Sequence, residues 1–523
     1  MNLWELAQAK KQYLVFTTIF SSKSVEYSLN CPNQLNRAIN WCRETGITKV
    51  YLESFRFGKE ASREHLIQAR DAFRDAGFDV SGGVTTNGVG NLSSGWKMSS
   101  CYTDGGAAEA LVEVFARAAE LFDELIIDDF FFTDCECEEC VAAKGDREWW
   151  QYRCEIMEKV GREKILEAAH KANPNCKVIL KFPQWYDRLH IRGYDVPKHT
   201  ENFDLIYAGT EVRDRGHVEG LPQTVQYMGF NIEKWLQSIG GDKLRGGWFD
   251  SFATGPVMYV EQAVQTVLGG VPEAFLFSYG SLNRRHKYRN ESDLGNDGPG
   301  VVRELRKHIP ALLELAEAIH GKQSRGIPAY KPASADYGDE RDIYDLVGVL
   351  GLPVLPTIKI DPATAPAGFF PTHAASDPDC GSLIQQMIDA GKPVLVTDGL
   401  VGRMPDLPLD SPLVQVLEAK GDAFSLLDID AKSLKAARDH LLPALGLEME
   451  APADVSLYLY DDNLLALDNF REETVTVRLQ GKAIEKAEKV LTIPASAQTN
   501  LCGGKEKLEA VLPPHTLLLV RIR

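Results

Sequence analysis

LIIDDFFFTDCECEEC, residues Leu125–Cys140, runs from a short apolar stretch into two adjacent carboxylates, then three aromatics, then a C-x-C-x-x-C cluster. A buried strand that delivers acidic groups at its C-terminal end is how an α/β barrel places reactive side chains. The close thiols just beyond suggest a loop pinned by a metal.

Outward from this stretch, one unit recurs between Tyr13 and Gly280: a short β-rich run, then a helical stretch. The runs are Tyr13–Phe20, Lys49–Arg56, Asp79–Thr86, Glu124–Phe132, Cys176–Pro183, Asp204–Glu211, Gly246–Phe252 and Ala274–Gly280. Helical patterns such as AAEALVEVFARAAELF and WWQYRCEIMEKVGREKILEAAHKA lie between them, the second stopped by Asn-Pro-Asn. Alternation of strands and helices argues a parallel sheet, and eight units in about 280 residues match a (β/α)8 TIM barrel in number and length. A doubly wound sheet is the alternative, but no G-x-G-x-x-G follows the first strand. A helical stretch over 301–321 closes this part. Fewer and shorter strand–helix units follow, and from about 451 onward strands alone with period-2 alternation. The expected domains are a barrel over 1–322, a small α/β domain over 323–450 and an antiparallel β-sandwich over 451–523.

The 523 residues carry a net charge of −17, which argues against nucleic acid or an anionic membrane surface as partner. Composition is that of a globular chain, 44% hydrophobic and 25% charged, with no apolar run long enough to span a membrane. The start, MNLWELAQAKKQYLVF, lacks a signal-peptide layout. Ten cysteines, partly clustered, suit a reducing, cytoplasmic setting better than a disulfide scaffold, and leave secretion open.

Barrel chemistry sits at the strand C-termini. Read in order, these carry Glu53, Asp128 and Asp129, Lys181, Glu211 with Arg213 and Asp214 beyond it, Asp250 and Tyr279; Trp185, Tyr186 and Trp248 crowd the same ends. Each has a bland reading as helix cap, ion-pair partner or core ring. Together they are more than that, because charges ending several apolar strands need partners or a wet cleft. Carboxylates supply the acid, base and nucleophile that break a glycosidic bond, and flat aromatics suit sugar faces. Side chains alternate along a strand, so one of Asp128 and Asp129 should face the barrel mouth and the other the helices.

Cys135, Cys137 and Cys140 are too tightly spaced for mutual disulfides but can converge on one tetrahedral Zn²⁺, with Cys101 after the third strand as candidate fourth ligand. Free thiols are the alternative. A closed all-Cys site speaks against a catalytic metal, and no organic cofactor motif is present.

The layout Asp123-x-Leu-x-Ile-Asp128 resembles the strand-4 end of retaining glycosidases of the α-galactosidase and α-amylase kind. That resemblance implies Asp128 rather than Asp129 as nucleophile, and Glu211 (or Asp214) at strand 6 as acid/base. The order of domains and the Cys101/C-x-C-x-x-C pattern resemble the family 42 β-galactosidases, which implies a structural zinc and a middle, amidotransferase-like domain that mediates trimers. That family has Asn-Glu at strand 4 and Glu at strand 7; here those ends read Asp128-Asp129 and Asp250, so its catalytic residues do not carry over.

The expectation is a glycoside hydrolase, retaining and exo-acting on oligosaccharides. Asp128 (or Asp129) is the nucleophile and Glu211 the acid/base; Asp250, Lys181 and Glu53 orient hydroxyls, and Trp185 and Trp248 stack on rings. Rival readings pair the strand-4 carboxylates with Asp250, make the barrel a silent carbohydrate binder, or use Lys181 as the base of a lyase or isomerase.

Overall fold

The eight β-rich runs are strands: β1 Val15–Phe20, β2 Ile47–Arg56, β3 Asp79–Val84, β4 Glu124–Ile127, β5 Lys177–Phe182, β6 Leu205–Gly209, β7 Leu244–Asp250 and β8 Glu273–Phe277. All pair in parallel with their neighbours, and β1 pairs with both β2 and β8, which closes the barrel. The computed structural model describes residues 1–213, 224–286, 296–482 and 484–522.

Two compact units divide the chain. The first is Met1–Leu221, Ile239–Thr266 and Val271–Ile309; the second is Pro222–Ser238, Val267–Gly270 and Pro310–Arg523. Around the strands of the first unit run helices such as Arg63–Asp75, opened by the Ser62 cap and burying Leu66, Ala69 and Phe73 along one stripe. The expected long helix over 149–172 is present, with a π-helical segment at Gly161–Leu166.

Strand periodicity organises the barrel interior. Ile19, Tyr51, Ile126, Ile179, Tyr207, Trp248 and Phe275 form one buried layer. Two residues back along the strands, where side chains point inward again, lies an ionic floor. Lys49 Nζ donates to Glu124 (2.6 Å) and Glu273 (3.0 Å), and Arg245 Nε to Glu273 (3.0 Å). Two residues forward come Glu53, Asp128, Lys181 and Asp250, the upper layer that faces the mouth.

The second unit holds a five-stranded parallel sheet of β9 Ile327–Tyr330, β10 Val354–Thr357, β11 Gly368–Phe370, β12 Val394–Thr397 and β13 Val414–Leu417, in the order β10-β9-β11-β12-β13. Helix Cys380–Asp389 contributes Cys380, Ile384 and Met387 to its core. A β-sandwich of five- and four-stranded antiparallel sheets completes the unit. Among the described residues no helix is long and apolar enough to cross a membrane.

Candidate active site

Lys181 is the hub of the upper layer. Its side chain is 1% exposed, and Nζ donates to Glu211 Oε1 (2.5 Å) and Asp129 Oδ2 (3.1 Å), with Asp128 Oδ1 at 3.7 Å. The two carboxylate oxygens that share the ammonium are therefore no further apart than those two bonds laid end to end. Below it, the Trp248 ring offers its face to Nζ at 4.4 Å. Burial alone would depress this ammonium, but Asp129, Glu211 and Asp128 raise its affinity for the proton instead. These neighbours favour the charged form, which speaks against Lys181 as the base of a lyase.

The alternation expected of the adjacent aspartates fails. The extended strand stops at Ile127, so period 2 no longer applies one residue later. Asp128 Oδ1 accepts the Asp129 amide at 2.8 Å, and both carboxylates come to the same ammonium. Asp128 is the covered one, its side chain 5% exposed, and Oδ2 accepts from Arg56 Nη2 at 2.5 Å. Asp129, at 23% exposed, is the more open of the two. Burial would raise the Asp128 carboxyl, but Arg56 and Lys181 outweigh it and hold it below the usual range. Burial lifts Asp129 to about 6; Lys181 opposes the rise and the Asp128 charge adds to it.

Glu211, beyond β6, is 4% exposed. Burial raises it to about 7, against Lys181 and with the charges of Asp129 and Asp250 adding to the rise. Its close seat requires Gly209: a Cβ there would stand 2.6 Å from Glu211 Oε2 and 2.6 Å from the Gln184 backbone nitrogen. The Gln184 side chain bridges the same groups, its amide nitrogen 3.2 Å from Glu211 Oε2 and its oxygen 3.1 Å from Arg213 Nη1. Arg213 Nη2 in turn donates to Asp250 Oδ2 (2.7 Å), and the Phe252 amide to Asp250 Oδ1 (3.0 Å). Asp214 lies outside the described residues.

Three expected substrate contacts are corrected. Glu53 is fully buried and spent on Ser22 N, Arg56 Nε and Thr85 Oγ1 (2.9, 2.9 and 2.5 Å), so it seats Arg56 rather than a hydroxyl. Trp248 belongs to the core layer. It is sandwiched between the Lys181 ammonium and Phe275, whose ring lies 3.9 Å away, and has no face left for a sugar. Tyr279 packs among Phe20 and Trp41 at 4.5 and 5.2 Å, in the helix layer. Tyr186 is buried, whereas Trp185 is partly exposed and packs against Phe132 at 5.8 Å. Arg56 and Gln184 went unnoticed in the sequence, where nothing separates them from other polar residues near strand ends.

The four cysteines converge. Their sulfurs lie within 4.8 Å of one another, with Cys101 3.9 Å from Cys137 and 3.7 Å from Cys140, and Cys137 3.6 Å from Cys140. Tetrahedral thiolates on a metal at about 2.3 Å stand about 3.8 Å apart, so the donor set fits a four-coordinate soft metal. All four are free thiols rather than disulfides.

Comparison with known proteins agrees with this architecture. Residues 4–298 match the family described as "probable glycosyl hydrolase, catalytic domain", and residues 446–519 match "probable glycosyl hydrolase, C-terminal domain". The chain belongs to this glycosyl hydrolase family. Gan42B, a GH42 β-galactosidase from G. stearothermophilus, is similar in fold over 98% of both chains, with a TM-score of 0.67 and 10% identity. An exo-carrageenase of GH42 from Bacteroides ovatus matches 98% of this chain and 80% of its own, with a TM-score of 0.51 and 11% identity. At such identities the likeness is one of fold. In sequence, an uncharacterized protein of Saccharolobus solfataricus is 28% identical over 284 residues, 48% of this chain and 46% of its own length. The match thus spans about half of that relative.

Proposed function

We propose that the protein is a retaining, exo-acting glycoside hydrolase on oligosaccharides, with Asp129 as nucleophile and Glu211 as general acid/base. The observation that carries the reading is the pair of carboxylates sharing the Lys181 ammonium, one of them holding its proton close to neutral pH. Retaining enzymes keep their two carboxyl groups about 5–5.5 Å apart, and inverting ones about 6.5–9.5 Å. Two groups that share one ammonium support the shorter class.

The sequence of events follows from these positions. Lys181 and the neighbouring Asp128 orient Asp129, whose carboxylate attacks the anomeric carbon as Glu211 passes its proton to the departing oxygen. Glu211, now ionised, takes a proton from water, and the resulting hydroxide displaces Asp129 from the sugar. Arg213 and Asp250 line the same end and would hold hydroxyls.

The test is a pH profile on whichever nitrophenyl glycoside of a broad panel is cleaved, with product stereochemistry read by NMR. Asp129 must be ionised and Glu211 protonated. Activity should therefore rise through about 6, fall through about 7 and peak in the narrow interval between. A plateau extending above pH 8, or an inverted anomer as first product, refutes the assignment.

The Cys101, Cys135, Cys137 and Cys140 site would hold one structural Zn²⁺ per chain, closed to substrate. Elemental analysis of protein purified without chelator should find it, and Cys137→Ser should lower zinc content and melting temperature together. We also propose a homo-oligomer, most simply a trimer, whose contacts between copies involve residues 325–450. Light scattering that reports a monomer at micromolar concentration excludes it.

A further inference from the structure

We propose that the four-cysteine centre is a tether for a sugar-stacking shelf built on Trp96, beside the carboxylates. The proposal rests on the reading of this mouth as a glycoside site and adds to it a binding residue and a task for the metal centre.

Trp96 lies in the loop after β3, 46% exposed, yet its ring is not loose. It stacks on Phe130 at 5.7 Å and, nearly parallel at 5°, on Phe132 at 5.8 Å. Phe130 directly follows Asp129, so the stack begins next to the proposed nucleophile. Phe57, also 46% exposed, abuts Phe130 edge-on at 6.4 Å and widens the apolar surface. Ordered aromatic rings left partly in water cost solvation energy, and a flat ring stacked on the residue that follows Asp129 suits the C–H face of a pyranose.

The loop has two anchors. Asp134 accepts from Ser93 Oγ (2.6 Å), Ser99 Oγ (2.8 Å) and the Trp96 amide (3.0 Å), with Arg192 Nη1 at 2.7 Å. The cysteine cluster is the second. Cys135 Sγ accepts the Ser94 amide at 3.4 Å, Ser94 Oγ accepts the Glu136 amide at 2.7 Å, and Cys101 closes the loop by donating its amide to Asn91 at 2.8 Å. A metal on the four sulfurs therefore ties both ends of the Trp96 loop to the segment that follows Asp129. Without it the sulfurs separate, and the ring must be ordered again at each binding event.

The experiment titrates Asp129→Asn protein, which binds without turnover, with β-1,4-linked galactotetraose, mannotetraose and xylotetraose, and reads tryptophan emission and calorimetry. At least one tetrasaccharide should shift the emission. Adding Trp96→Ala should weaken its Kd about tenfold and erase most of the shift, and Trp96→Phe should restore most of the affinity. Chelator-stripped protein, with metal loss read by mass spectrometry and folding by circular dichroism, should lose affinity in the same direction. Ser94→Ala, which keeps all four cysteines and removes the hydroxyl that meets Cys135 Sγ at 3.6 Å and the Glu136 amide at 2.7 Å, should do so more weakly. No shift with any tetrasaccharide, or a Kd unmoved by Trp96→Ala, overturns the shelf. A Trp96-dependent Kd indifferent to metal loss and to Ser94→Ala overturns the tether. The catalytic reading fails separately, if Asp129→Asn still hydrolyses the nitrophenyl glycosides cleaved by the unmodified protein.

Discussion

Asp129→Asn should cut kcat/KM on an aryl glycoside by a thousandfold or more, on the order of what losing a nucleophile or its proton-transfer partner costs other hydrolases. The change keeps shape and removes charge, so the fold should survive. Lys181 retains Glu211 and Asp128 as partners. Glu211→Gln should be selective: substrates with strongly acidic leaving groups need little protonation and should lose about tenfold, whereas natural linkages should lose far more. Azide offered to Asp129→Gly should occupy the vacated space and restore turnover, releasing a glycosyl azide of inverted configuration. If Asp129→Asn retains full activity, strand 4 is not the source of the nucleophile, and Asp250 with its Arg213 partner takes that place.

Lys181→Met is the second large effect, and it acts on stability as well as rate. The ammonium offsets three carboxylates in a nearly dry site. Removing one partner of a buried ionic array costs roughly 3–5 kcal/mol, because the survivors are left uncompensated. They relieve this by binding protons, so the carboxyls of Asp129 and Glu211 rise further. A folded-state pKa raised above the unfolded value means stability falls as pH climbs between the two. Urea unfolding of the variant should therefore show its greatest deficit near pH 7 and a much smaller one near pH 4. The ascending limb of its activity profile should move to higher pH, since the nucleophile ionises later. Equal deficits at both pH values would show that Lys181 is only a packing element.

The barrel was readable because each β-run is apolar, short and followed by a helical pattern, and those signals are local. The charged residues that end the strands were readable for the same reason. What failed was extrapolation past a strand's last paired residue. Ile127 ends β4, the chain turns at Asp128, and the face assignment of the next residue no longer follows from period 2. Trp248 illustrates the opposite error. Asp250 reaches the upper layer, so a residue two earlier on the same strand has to sit one layer down, where aromatic bulk fills the core. Glu53 looked like a free acid because its counter-ion, Arg56, stands three residues on in the same strand, where period 2 puts it on the other face; the register shift between Glu53 and Phe55 brings the two together. Trp96 had no periodicity to report it; loop residues gain their place from anchors distant in sequence, here Asp134 and Cys135.

The buried layer beneath Lys181 has a consequence for traffic. With Trp248 and Phe275 stacked across the lumen and the Lys49–Glu124–Glu273 array beneath them, the barrel is stoppered, and nothing can thread it from end to end. Among the described residues the way to Asp129 through the barrel floor is shut, so substrate and product alike come and go on the mouth side.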